Sequence, residues 1–163
     1  MQLPSKRIIS FLAFLASVAL IAFALYLEMY IKLDPCPLCI IQRVFIMLVG
    51  VLFLIALVLK QHTHFTRYYY YFIAFVAVLG GMVSARHIWI QSLPPDQLPS
   101  CGAGLRYMLE ILPVNQVATM LFQGTGECAK VTWRFLTLSI PEWTLICFVG
   151  FALVAVWQAL RKN

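Results

Sequence analysis

The chain has 163 residues, of which 63% are hydrophobic and only 11% charged. A soluble domain carries about 25% charged residues, so an ordinary water-surrounded globule is excluded, while the length suits one domain. The net charge is +6, yet the basic residues lie scattered between apolar runs with no cluster or basic face, which argues against a nucleic-acid partner. The solvent this composition fits is a lipid bilayer.

The first candidate element is Ile8 to Leu27, twenty residues without a charge. As a helix it crosses about 30 Å of hydrocarbon. Ala22-Phe23-Ala24 offers a small-residue cleavage pattern, but the apolar run continues past it and is too long for a signal peptide's core, so a retained helix is expected. The stretch "PCPLCIIQR" (residues 35–43) then opens a second run, Val44 to Leu59, which extends upstream if Arg43 sits near the interface. A third run starts at Tyr68 and ends at Arg86-His87; a fourth covers Trp143 to Leu160. Backbone groups in lipid must be satisfied internally, so each span is expected to be helical. The expected fold is all-α: one polytopic membrane domain over residues 1–163, built as a bundle of four transmembrane helices at about 8–27, 40–59, 68–87 and 143–160. Two outer loops would cover about 28–39 and 88–142. Within the second, "PVNQVATMLF" places Val114, Val117, Met120 and Leu121 near helical spacing, as a short interfacial helix or as packing against the bundle.

Four spans put both termini on one side. Lys6 and Arg7 precede span one, Lys60 and Arg67 bracket the loop between spans two and three, and Arg161 and Lys162 follow span four. Positive-inside counting over short segments places those ends, and both termini, in the cytoplasm. All six acids (Glu28, Asp34, Asp96, Glu110, Glu127 and Glu142) fall on the other side.

With this topology Cys36, Cys39, Cys101 and Cys128 lie outside, and Cys147 lies within span four. An even set of four cysteines on the oxidising side of a membrane reads as disulfide chemistry, and four cysteines allow three pairings. Cys36 and Cys39 sit where a loop becomes span two. A helix N-terminus carries unpaired N–H groups and partial positive charge, which favour a thiolate there. Pro37 suits a first helical turn, having no N–H to lose. A disulfide at this spacing closes too short a loop to constrain the unfolded chain much, so a reactive pair is expected rather than a staple. Cys101 and Cys128 are flanked by "SLPPDQLPSCGAG" and "QGTGEC", whose glycines loosen the backbone. A mobile thiol pair and a plain loop disulfide fit these two equally.

Other chemistries fit less well. Haem attachment wants His directly after the second Cys, where Ile40 stands. A four-thiolate zinc site takes two close pairs, and the second pair here is 27 residues apart. No metal site is therefore expected. Cys147, between Ile146 and Phe148, reads as a small buried hydrophobe. Arg43 follows Cys39 by one helical turn on the same face. Charge at membrane depth is a functional signal by default, and a guanidinium there can hold a polar head group or stabilise negative charge. Snorkelling to the interface is its bland alternative. Arg86 and His87 end span three at the same level, and His87 can donate to a carbonyl or shuttle a proton. A thiol pair that is repeatedly reduced needs an electron sink, and in a membrane a lipid-soluble quinone fits.

Taken together, four spans, "CPLCIIQR" after span one, "RH" closing span three, Cys101, "GECAKVTWRF" and "PEW" before span four resemble the DsbB family of bacterial inner membranes, over nearly the whole chain. That resemblance implies a multi-pass quinone-dependent thiol oxidase that reoxidises a periplasmic, thioredoxin-like DsbA-type oxidase. It implies that the partner's thiolate attacks a Cys101–Cys128 disulfide at Cys101, that Cys128 then attacks Cys36, and that Cys39 faces the quinone, ubiquinone or menaquinone, with Arg43 stabilising charge. His87 matches a family position near the quinone. Cys147 has no place in the family pattern, and "GAG" after Cys101 gives no charged handle for a partner. The rival readings are a non-catalytic four-span protein with structural disulfides and a metal- or haem-binding electron carrier.

Overall fold

Each apolar run is a helix, and each helix starts before it. In the computed structural model, which describes residues 5–31, 36–59, 64–94, 134–135 and 137–161, they are α1 (Lys6–Ile31), α2 (Pro37–Val58), α3 (His64–Gln91) and α4 (Ile140–Leu160). All four are long and apolar enough to cross a membrane. The all-α four-helix architecture is thus the one expected. The segment that holds Val114 to Leu121 lies outside the described residues, as do Cys101 and Cys128.

Capping explains why the helices run past the greasy segments. Hydropathy marks only the part that must sit in hydrocarbon, whereas helix ends are set by who satisfies the first free N–H groups. Ser5 Oγ accepts from Ile8 N at 3.3 Å and starts α1. At the other end α1 continues through Glu28 to Ile31, taking Glu28 out of the expected outer loop. Cys36 caps α2, its Sγ accepting from Cys39 N at 3.3 Å, with Pro37 in the first turn. In α4 the Glu142 carboxylate accepts from the Ser139 N–H (2.5 Å) and hydroxyl (2.8 Å), and Pro141 again occupies the first turn. Just before it, a two-residue antiparallel ladder pairs β1 (Arg134–Phe135) with β2 (Leu138–Ser139). Thr137 in its turn has φ 70°, a region β-branched residues seldom enter. This small ladder was not expected from the sequence.

Packing follows chain order, with α3 most extensively against α4, then α1 on α2 and α2 on α3. The core holds Val49, Phe53, Ala56, Tyr70, Ile73, Ala77, Phe148 and Ala155, all essentially inaccessible. Small residues let the backbones approach, as in other membrane bundles. A Cβ on Gly80 would meet the Phe148 ring at 2.4 Å, and one on Gly50 would meet Ser17 Oγ at 2.1 Å. Ser10 Oγ and Tyr70 Oη share a buried hydrogen bond of 2.9 Å between α1 and α3. Lys6 Nζ donates to Arg161 O (3.0 Å) and Gln158 Nε2 to Lys6 O (3.0 Å), so the start of α1 and the end of α4 meet at one end of the bundle. Outward faces carry Phe11, Leu15, Val51, Phe72, Phe75 and Leu153, the apolar exterior a bilayer covers.

Candidate functional site

At the opposite end of the bundle, the first turn of α2 meets the last turns of α1 and α3. Leu38 and Ile90, both 1% exposed, pack together there with Cys36, Ile41 and Val83 around them. This small cluster fixes the start of α2 against α3. On it stand the two thiols: Cys36 and Cys39 are half-buried and not joined in a disulfide, and their sulfurs are 2.8 Å apart. An i, i+3 spacing on a helical turn brings the two together, and Pro37 in the first turn of α2 gives up no hydrogen bond. Cys39 N–H donates to Cys36 Sγ at 3.3 Å, and His87 Nε2 lies 3.7 Å from the same sulfur.

His87 does not end its helix. Four more residues follow it in α3, and the ring faces the bundle interior at 2% exposure. Arg86, expected beside it, points the other way and lies over Trp89, its guanidinium 5.5 Å from the ring centroid. Adjacent residues on a helix are 100° apart, so an "RH" pair cannot put both side chains into one site.

Arg43 lies one turn into α2 from Cys39, and its guanidinium reaches sideways to α1. Nη1 donates to Glu28 Oε2 at 2.5 Å and Nη2 to Ala24 O at 3.4 Å. The two side chains are 21% and 37% exposed, so the pair sits at the surface rather than in the core. Glu28 was missed as a site neighbour because its apolar run gave out just before it.

A second omission is Gln42. It is 2% exposed, and its side-chain amide lies 3.3 Å from His87 Nδ1. Thr144 Oγ1 of α4 donates its hydrogen to Ile140 O at 2.8 Å, and the same hydroxyl oxygen lies 3.2 Å from the Gln42 amide. Polar residues inside apolar helices were the available signal, but their partners lie 45 and 102 residues away in sequence. The structure thus brings Cys36, Cys39 and His87 together and sets Arg43 on the neighbouring face. Cys147, half-buried against the main core, is not part of this group.

The family model for the disulfide bond formation protein DsbB matches residues 6–158, nearly the whole chain. The chain belongs to the DsbB family. Among its relatives, the disulfide bond formation protein B of Hahella chejuensis is 50% identical over 159 residues, covering 97% of this chain and 96% of the relative. That of Stutzerimonas stutzeri is 44% identical, with 100% of both chains covered. The disulfide bond formation protein B 1 of Pseudomonas aeruginosa is 41% identical, with 99% of both covered. The DsbB match takes in all four helices and the thiol cluster between them.

Proposed function

We propose that this protein is a thiol:quinone oxidoreductase of the bacterial inner membrane. It reoxidises a periplasmic DsbA-like dithiol oxidase by disulfide exchange and passes two electrons to a membrane quinone. Family membership supports the disulfide chemistry. The observation that carries the reading is the pair of sulfurs 2.8 Å apart in the first turn of a membrane-crossing helix. Reactive thiols at that depth meet water-soluble partners from above and lipid-soluble ones from the side. Positive-inside counting supports the orientation, with both termini cytoplasmic and the thiol end periplasmic.

In this reading a thiolate of the partner attacks the Cys101–Cys128 disulfide at Cys101, and the released Cys128 attacks Cys36. Each step forms one S–S bond and breaks another. Breaking the Cys36–Cys39 bond leaves an electron pair on Cys39. A ubiquinone or menaquinone, when bound, supplies the two-electron sink. Arg43 would hold negative charge near Cys39, being a partly exposed guanidinium one turn away on the same helix. The donor set fits such a head group: a cation, half-buried sulfurs and an apolar rim. Overall the partner's two thiols become a disulfide, and two electrons with two protons leave for the quinone.

The test is purified protein with added quinone and a reduced CxxC oxidase, followed by quinone absorbance. Cys36→Ser, Cys39→Ser, Cys101→Ser and Cys128→Ser are each expected to abolish turnover. Normal turnover in any one of them contradicts the relay.

A further inference from the structure

Two thiols and an imidazole make a soft donor set, and at the thiol end of the bundle they converge on one point. The Cys36 and Cys39 sulfurs are 2.8 Å apart, and His87 Nε2 lies 3.7 Å from Cys36 Sγ. The ligand atoms of all three residues fall within 4.8 Å of one another. A tetrahedral zinc ion takes sulfur at about 2.3 Å and imidazole nitrogen at about 2.0 Å, which sets sulfur and nitrogen about 3.6 Å apart and two sulfurs about 3.8 Å apart. The sulfur–nitrogen distance is nearly met as it stands. The sulfurs need to part by about 1 Å, a small side-chain rotation in the first turn of α2. Two cysteines with two residues between them are also the usual spacing of a zinc ligand pair. We propose that the reduced Cys36–Cys39 pair and His87 form a three-ligand site for a thiophilic divalent cation of the zinc class, available only while the pair is reduced. From spacing alone no metal site is expected, because the histidine that completes this one stands 51 residues from Cys36.

The surroundings suit a cation. A ligating histidine has its other ring N–H held by an acceptor, and beside Nδ1, 3.3 Å away, stands the Gln42 amide. Thr144 gives its hydroxyl hydrogen to Ile140 O, so its oxygen faces the amide as an acceptor that an amide N–H fills. That turns the amide oxygen to Nδ1 and leaves the Nε2 lone pair for the sulfur side. Arg43, one turn on from Cys39, is matched by Glu28 rather than left to repel a second cation. His87 is 2% exposed while both cysteines are half-buried, so the sulfur side is the open one, and three protein ligands leave the fourth position to water. Binding moves no electrons between atoms of different oxidation state: two S–H bonds give way to two metal–sulfur bonds, and two protons leave to water. A Cys36–Cys39 disulfide has no thiolate to offer, so only the reduced pair takes the ion. With both sulfurs ligated, the pair does not pass its electrons on. That consequence rests on the proposed function, whereas binding does not.

The test is titration of Co²⁺, an optical stand-in for zinc, into the full chain in detergent, with Cys101→Ser and Cys128→Ser removing the second thiol pair from competition. The reduced chain is expected to bind one equivalent with the visible bands of a tetrahedral thiolate site, and Zn²⁺ to bleach them. The same chain oxidised with diamide is expected to show no such bands. His87→Ala is expected to weaken Zn²⁺ about 100-fold or more, since losing even a ligand's outer partner costs about 10- to 100-fold. Should that variant fail to fold, Cys39→Ser exchanges one sulfur for oxygen and is expected to weaken Zn²⁺ as much. Bands in the oxidised chain, no bands in the reduced chain, or unchanged affinity in a folded variant overturns the site. The reduced chain is then mixed with quinone alone. Zn²⁺ is expected to slow quinone reduction in proportion to its occupancy, and a chelator to restore it. Unslowed reduction at full occupancy overturns the block. A metal-free reduced chain that leaves the quinone untouched strikes the proposed function, while the titration still decides the site.

Discussion

Arg43 shows how a charged residue at membrane depth is made tolerable. Its guanidinium is matched by Glu28 on the neighbouring helix and by a carbonyl of α1. In the proposed function this pair sets how much positive charge a quinone head group meets. Arg43→Ala is therefore expected to raise the apparent KM for quinone about tenfold or more, as befits a lost charged hydrogen bond. Glu28→Gln is expected to lower it, since the cation is then unmatched. The check is steady-state kinetics with quinone varied at saturating dithiol, and an unchanged KM in both variants rejects the role. Cys36, Cys39, Arg43 and His87 stand out in the sequence because each is a costly residue type at a membrane boundary. Gln42, Thr144 and Glu28 were not legible as site neighbours. Their significance lies in partners on other helices, and helix phase across a bundle is not written in local spacing.

The helices themselves were read from apolar length, which locates a span but not its ends. The ends follow caps: Ser5 for α1, Cys36 for α2, Ser139 with Glu142 for α4. Hydropathy also says little about which face turns inward, because lipid-facing and core-facing residues are equally greasy. Steric contact settles that. At Gly80 the missing side chain leaves room for α4, with the ring of Phe148, 1% exposed, laid across it. Gly80→Val is expected to force these helices apart and to cost about 1–3 kcal/mol, as overpacking does. A thermal melt in detergent reads this directly. Gly150 provides the control, since a Cβ there would meet nothing within 4 Å. Gly150→Ala should melt like wild type, and equal losses in both variants would show that the α3–α4 contact is not the cause.

Across the whole molecule, chemistry and chain ends are segregated. Cys36, Cys39, His87 and the Arg43–Glu28 pair occupy one end, while Lys6, Gln158 and Arg161 are hydrogen-bonded together at the other. His87 comes from α3 to reach Cys36, and Glu28 from α1 to reach Arg43, so the site exists only when the bundle is assembled. Its separation from the termini was visible in the sequence as an even number of apolar runs and a bias of Lys and Arg. The meeting of α1 and α4 has a consequence for how this chain can be cut. Because Lys6 and Arg161 touch, a flexible Gly/Ser linker of about ten residues would reach between them. New ends could then be opened between Val58 and His64, where the chain passes from α2 to α3. Such a circular permutant should insert with all four crossings in their original directions and retain dithiol oxidation. A permutant that inserts yet turns over nothing would mean that the two ends do not lie side by side in the membrane.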